Sequence, residues 1–217
     1  MNEELQSWLD TLAALAEEDL AAQNAVRDEA LKASRELIRL CSHAIRAGHR
    51  DEWDAAESLL ADADAVGGTL QASLAPYPGL MYAGYTQDAL KELVEAHVTL
   101  ALISGRSLPS VEAAGIPLNT YLNGVCEAAS ELRRRCLDGL RQGRFDEAER
   151  LLGAMDMVYE VLMSFGYPDA ITRGLRRRVD QLRGVLERTR GDITNSLQMM
   201  QLRRTLEALD ATLPDRD

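Results

Sequence analysis

Phenylalanine occurs in this chain only at Phe145 and Phe165, and aromatic residues make up 5% of it. That scarcity disfavours a sheet, whose pleated faces are built from aromatic and β-branched side chains. Cys41, Cys126 and Cys136 are too few and too scattered for a disulfide scaffold or a cysteine zinc cluster, so reduced thiols are expected. His43, His49 and His97 share no paired ligand spacing and are expected to be ordinary histidines. No segment approaches the roughly 20 apolar residues that span a bilayer, and no basic stretch precedes an apolar run at the N-terminus. A soluble, cytosolic protein with no membrane partner is the expectation. Lysine is confined to Lys32 and Lys91, and the formal net charge is −11. A general nucleic-acid coat is therefore excluded, because phosphate binding is driven by clustered cations. Any nucleic-acid site must be local. Acidic residues spread along the chain, with arginine in place of lysine, also suit a high-salt cytoplasm.

What the chain does contain is helix-forming sequence, with 46% hydrophobic residues dominated by alanine and leucine. The reading is an all-α fold of about seven helices. Apolar residues recur at helical spacing from Glu3 to about Leu20 and again from Asn24 to Gly48, either as two helices or as one with a bend. A third helix runs from Glu52 to about Leu74 and stops at Pro76-Tyr77-Pro78-Gly79, which a helix interior does not tolerate. Leu90 to Ile103 follows, ended by Gly105. A turn-rich connection over 108–117 leaves room for one helical turn. Leu118 to about Gly143 and Asp146 to Met163 are the next helices. Asp169 or Thr172 is placed to cap a last helix reaching about Leu209. No Ser-, Gly- or Pro-rich linker and no internal repeat divides the chain, so one domain over 1–217 is expected.

Two pairs of glutamates stand out on these helices. Glu92 and Glu95 are three residues apart, and Glu127 and Glu131 four apart, so at about 100° per residue each pair lies on one helix face. If the two faces pack together, four carboxylates converge, and a cation is needed to stabilise that much like charge. On a surface helix the same spacing is ordinarily a solvated face. Spacing alone leaves both readings open.

The order and spacing of several short segments resemble the translin family, which comprises translin, its nuclease partner and archaeal single-subunit relatives. The segments are Ser34-Arg35-Glu36-Leu37-Ile38-Arg39 with Ala44-Ile45-Arg46, then Leu90 to Ala96, then Tyr121-Leu122-Asn123-Gly124 with Ala129-Ser130-Glu131-Leu132, and Tyr167 to Arg177. In the nuclease branch the positions of Glu92 and Glu95 are both acidic, and a later helix presents two more acids, which fall here on Glu127 and Glu131. In translin proper only the counterpart of Glu131 is acidic. The resemblance therefore implies the catalytic branch. Two departures are visible: the nuclease branch usually has the shorter Asp at position 127, and translin's basic, histidine-containing stretch is replaced by Gly84-Tyr85-Thr86-Gln87-Asp88-Ala89.

The resemblance implies a homo-oligomeric shell, in the hexamer to octamer range, that encloses RNA. The implied activity is a Mg²⁺- or Mn²⁺-dependent endoribonuclease acting on single-stranded RNA or unpaired parts of structured RNA. Glu92, Glu95, Glu127 and Glu131 would be its catalytic, metal-holding carboxylates. The alternative is a non-catalytic oligomeric binder of single-stranded nucleic acid, its glutamates structural. Arg134, seven positions beyond Glu127 and about 20° from it around the helix, is a candidate phosphate clamp. Arg35 and Arg39, with Arg46, are candidates for an RNA surface, although such arginines are commonly solvated or intersubunit charges. Arg135 is expected to pair with Glu131 along the helix. Arg176, Arg177, Arg178 and Arg183 are expected at an interface or on the surface.

Overall fold

A computed structural model describes residues 1–210. Eight helices succeed one another, and no strand occurs among the described residues. They are α1 (Asn2–His49), α2 (Trp53–Leu74), α3 (Pro78–Met81), α4 (Gly84–Ser104), α5 (Leu118–Arg141), α6 (Phe145–Met163), α7 (Asp169–Thr172) and α8 (Leu175–Asp210). None is long and apolar enough to cross a membrane.

The first two expected helices are one element of 48 residues, roughly 70 Å long at 1.5 Å per residue. No proline or glycine lies between Leu20 and Asn24, so nothing interrupts its hydrogen bonds. It ends where Asp51 turns into the left-handed region at φ 61°. Pro76 and Pro78 stop α2 and start α3. Gly105 at φ 73° closes α4, where glycine costs no Cβ strain. The connection over 108–117 forms turns and no helix.

Two differences from expectation occur at helix starts. Helix α4 begins at Gly84, six residues before Leu90, because Thr86 Oγ1 and Gln87 Nε2 donate to the carbonyls of Leu80 and Met81. Those bonds hold the first turn of α4 against α3. At the other end of the chain, Asp169–Thr172 is a separate turn rather than the cap of the long helix. Arg173 and Gly174, at φ 51° and 82°, break the chain between α7 and α8. Asn119 and Asn123 of α5 donate to the carbonyls of Ile171 and Thr172, which docks α7 on α5 and sets where α8 begins.

The core has two halves. Leu37, Leu70, Leu74 and Leu90 anchor one between α1, α2 and α4. Leu132, Leu151, Met155, Leu182 and Leu186 anchor the other between α5, α6 and α8. The seam between them is the α4–α5 contact, filled by Val94, Val98, Tyr121 and Ala128. Both glutamate pairs lie on the helices of this seam.

Candidate metal centre

Gly124 sets the geometry of the seam. A Cβ on it would lie 2.7 Å from the backbone oxygen of Lys91 and 2.7 Å from Val94 Cβ. Its absence lets α4 and α5 approach almost backbone to backbone. Glu92 and Glu95 of α4 thereby come close to Glu127, three residues beyond Gly124. One carboxylate oxygen from each of Glu92, Glu95 and Glu127 lies within 4.8 Å of the others.

Glu131 takes a different partner. Its Oε1 accepts from Nε2 of His49 at 2.9 Å, which places the imidazole proton on that nitrogen. His49 is buried at the end of α1. Glu131 stays within electrostatic reach, since its charge helps push up the Glu95 carboxyl. It stands beside the group of three rather than in it.

Two cations hold the group from the side. Nζ of Lys91 donates to Glu92 Oε1 at 2.7 Å and also bonds Glu127. Nε of Arg178, from the second turn of α8, donates to Glu127 Oε1 at 2.7 Å, and its Nη1 donates to Asn123 Oδ1 at 3.2 Å. Arg178 was expected on the surface or at an interface; the docking of α7 on α5 turns it inward onto Glu127 instead. Lys91, 7% exposed, is the other site residue that spacing did not reveal.

The charges respond accordingly. Burial pushes Glu95 up to about 8, helped by Glu92 and Glu127 and opposed by Lys91. Burial also pushes Glu127 upward, but its hydrogen bonds to Lys91 and Arg178 outweigh this and leave it below the usual range. Lys91 is raised: burial disfavours its charge, and the bonds to Glu127 and Glu92 more than restore it. A buried ammonium stabilised in this way marks a position where a cation is favoured. Lys91 bonds two of the three carboxylates, Glu92 and Glu127, and carboxylate oxygens are donors of the kind that hard divalent cations take.

The remaining arginines divide. Arg134 and Arg35 are exposed and make no hydrogen bond or ion pair among the described residues. Arg39 is exposed and paired with Glu36 at 2.6 Å, and Arg46 bonds Ser42. Arg135 does not pair with Glu131. It is buried, donating to Glu147 at 2.6 Å, to Asp51 at 2.7 Å and to the carbonyl of His49 at 3.2 Å. Position 135 faces the turns that end α1 and begin α6, so those acids reach it and Glu131 does not.

No protein-family model matches the chain. The uncharacterized protein MJ0175 of Methanocaldococcus jannaschii is 34% identical over 196 residues, covering 89% of this chain and 86% of the relative. The solved complex of AfC3PO with duplex RNA is similar at TM-score 0.81 and 33% identity, over 86% of this chain and 97% of that one. A second solved structure, the crystal structure of AfC3PO, gives TM-score 0.80 at the same identity and coverage. Apo-NeC3PO, at 22% identity, TM-score 0.74 and coverage of 87% and 96%, shares the fold. Fold and similarity together define an all-α protein of the C3PO type. The chain belongs to the translin family.

Proposed function

We propose that this chain is a subunit of a homo-oligomeric, cytoplasmic, metal-dependent endoribonuclease. Its substrate is single-stranded RNA or RNA with unpaired segments. The observation that carries the reading is the convergence of Glu92, Glu95 and Glu127, with a lysine ammonium drawn in among them. The solved relative AfC3PO forms a complex with duplex RNA, which supports RNA as the partner class and allows paired regions beside the unpaired ones.

A divalent ion held there would lower the pKa of bound water and offset charge that develops on phosphoryl oxygens. The protein's own groups prepare the place. Glu92, Glu95 and Glu127 offer the oxygen donors, Arg178 orients Glu127, and His49 orients Glu131 at the edge. Arg134, exposed and without a hydrogen-bond or ion-pair partner among the described residues, is available to a phosphate. Arg35 and Arg39 are assigned to a more distant RNA contact, where Arg39 must first leave Glu36.

One observation favours a second reading. Lys91 and Arg178 already neutralise Glu92 and Glu127, as they would in a non-catalytic RNA-binding oligomer whose glutamates are structural. RNA cleavage assayed in Mg²⁺, Mn²⁺ and chelator separates the two. The nuclease cleaves only with metal and loses cleavage in Glu92→Gln and Glu127→Gln at unchanged oligomer mass. Binding without cleavage under every metal would establish the second reading.

A further inference from the structure

The carboxylate cluster shares a wall with a second cavity, of about 310 Å³, between the start of α4, the start of α5 and the α7–α8 junction. Lys91, Asn123, Arg173 and Arg178 line it, together with Gln87 and Thr120. Its neutral polar groups are largely committed inside the protein. Thr120 donates to Gln87, Gln87 donates to the Met81 carbonyl, and Asn123 donates to the carbonyls of Asn119 and Thr172. The guanidinium groups are committed only in part. Arg173 is exposed, and among the described residues its guanidinium is held only by two 3.4 Å bonds to the Tyr82 carbonyl. Arg178 uses Nε and Nη1 on Glu127, Asn123 and the Arg173 carbonyl, which among the described residues leaves its Nη2 for a ligand. Against these cations and Lys91, the carboxylate on the rim is Asp88.

We propose that this pocket is a phosphodiester subsite for RNA, coupled to the carboxylate cluster through the two cations that both share, Lys91 and Arg178. The proposal rests on the reading of the cluster as a cation site in an RNA-acting protein. Planar guanidinium donors at the cavity wall match the oxygens of a phosphate. The coupling follows from charge. While Lys91 and Arg178 face bare carboxylates, their field in the pocket is cancelled. A divalent cation on Glu92, Glu95 and Glu127 takes up that negative charge, and the same two side chains then present net positive charge to the pocket. Cation and phosphodiester reinforce each other's binding, and the coupling is reciprocal.

The test is fluorescence anisotropy of a labelled single-stranded RNA, in Ca²⁺ and in chelator, across a salt series. A denaturing gel confirms intact RNA after each titration. Mn²⁺ affinity is measured separately by electron paramagnetic resonance. Arg173→Gln is the main variant, because among the described residues Arg173 makes no hydrogen bond or ion pair with Glu92, Glu95 or Glu127. In Ca²⁺ it should bind RNA about tenfold more weakly, with a salt slope smaller by about 0.7, the loss of one phosphate contact on a single strand. Its Mn²⁺ affinity should equal that of wild type. Arg178→Gln should lose RNA affinity and also change Mn²⁺ affinity. Wild type should bind RNA more tightly in Ca²⁺ than in chelator. If Arg173→Gln binds RNA with wild-type affinity and slope, the subsite is wrong and the proposed function stands. Equal wild-type affinity in Ca²⁺ and chelator overturns the coupling. Wild type that binds Mn²⁺ but no RNA overturns the RNA reading itself.

Discussion

Gly124 of α5 faces the backbone carbonyl of Lys91 of α4 at a distance that leaves no room for a Cβ. The obstacle is backbone, so no side-chain rotation relieves it. This contact lies between the residues that carry the acids: Glu92 follows Lys91, and Glu127 is one helical turn beyond Gly124. Helix packing, rather than any carboxylate interaction, forces the like charges together.

Gly124→Ala tests that statement. In an exposed helix the change would stabilise by up to about 1 kcal/mol through propensity. Here it must push α4 and α5 apart, at a cost of about 2 kcal/mol typical of an overpacked core. Thermal melts should show a fall of several degrees, and Mn²⁺ affinity should weaken with it. A variant that melts at or above wild type would show that the close approach does not matter.

Glu95 gives the chain a pH signature. Its carboxyl rises from about 4.5 to about 8, through burial first, then Glu92 and Glu127, with Lys91 opposing and Glu131 adding. A carboxyl whose folded value exceeds its unfolded value holds more protons when folded. Its stabilising contribution is complete below about 4.5 and is lost as pH rises through 8. In chelator, Glu95→Gln should therefore melt above wild type at pH 9 and close to it at pH 4. With Mn²⁺ at pH 9 the order should reverse, because wild type gains a ligand that binds its folded state. Calorimetry at the two pH values, with and without Mn²⁺, reads both effects. Parallel pH slopes for wild type and variant in chelator would refute the assignment.

Arg135 links the end of α1 to the start of α6. Removing it takes from the half-buried Glu147 one of its two arginine partners, leaving Arg144 at 2.7 Å, leaves Asp51 with Arg144 at 3.7 Å, and frees the His49 carbonyl. Arg135→Met should cost about 2 kcal/mol in denaturant unfolding, below the range for breaking a fully buried ion pair because Arg144 still pairs with Glu147 and Asp51 is partly exposed. Arg135→Lys should recover little, since one ammonium cannot reproduce a fork that bonds three groups. Arg134→Met, one position away but exposed and unpaired, should change stability by less than about 0.5 kcal/mol. Equal costs at 134 and 135 would count against the linking role.

Much of this was legible in the sequence. Helical periodicity and the Pro76-Tyr77-Pro78-Gly79 and Gly105 stops located the long helices, and the all-α fold and the family follow from the same residues. The glutamate spacings placed each pair on one face. What spacing could not carry was contact between distant segments. Arg178 meets Glu127 across 51 residues of chain because α7 docks on α5. Glu131 was equally within reach of Arg135 by helical geometry, yet each is claimed by a group from the end of α1 or the start of α6. The early start of α4 likewise depends on side chains that cap a different turn. Gly124 was visible as a residue, but its role exists only once a second helix lies against it.

Exposed apolar stripes near the start of α1 and the end of α8 bear on self-association. Leu5, Trp8, Leu9, Leu12 and Leu15 of α1 recur at spacings of three and four and are 43–62% exposed. Met199, Leu202 and Leu206 near the end of α8 repeat the pattern at 52–66%. The first stripe is accompanied by Glu3, Glu4, Asp10, Glu17, Glu18 and Asp19, and the second by Arg203 and Arg204 with Glu207 and Asp210, Arg203 being paired with Glu207, so a contact between copies rests on apolar burial rather than on opposite charge. Each leucine buried in such a contact contributes about 2 kcal/mol. Leu9→Glu with Leu12→Glu should therefore lower the mass in sedimentation velocity, and Leu202→Glu with Leu206→Glu should do the same. Helix content and Mn²⁺ affinity should hold, because neither stripe touches the seam. Unchanged mass in both double variants would place the assembly contact elsewhere on the molecule.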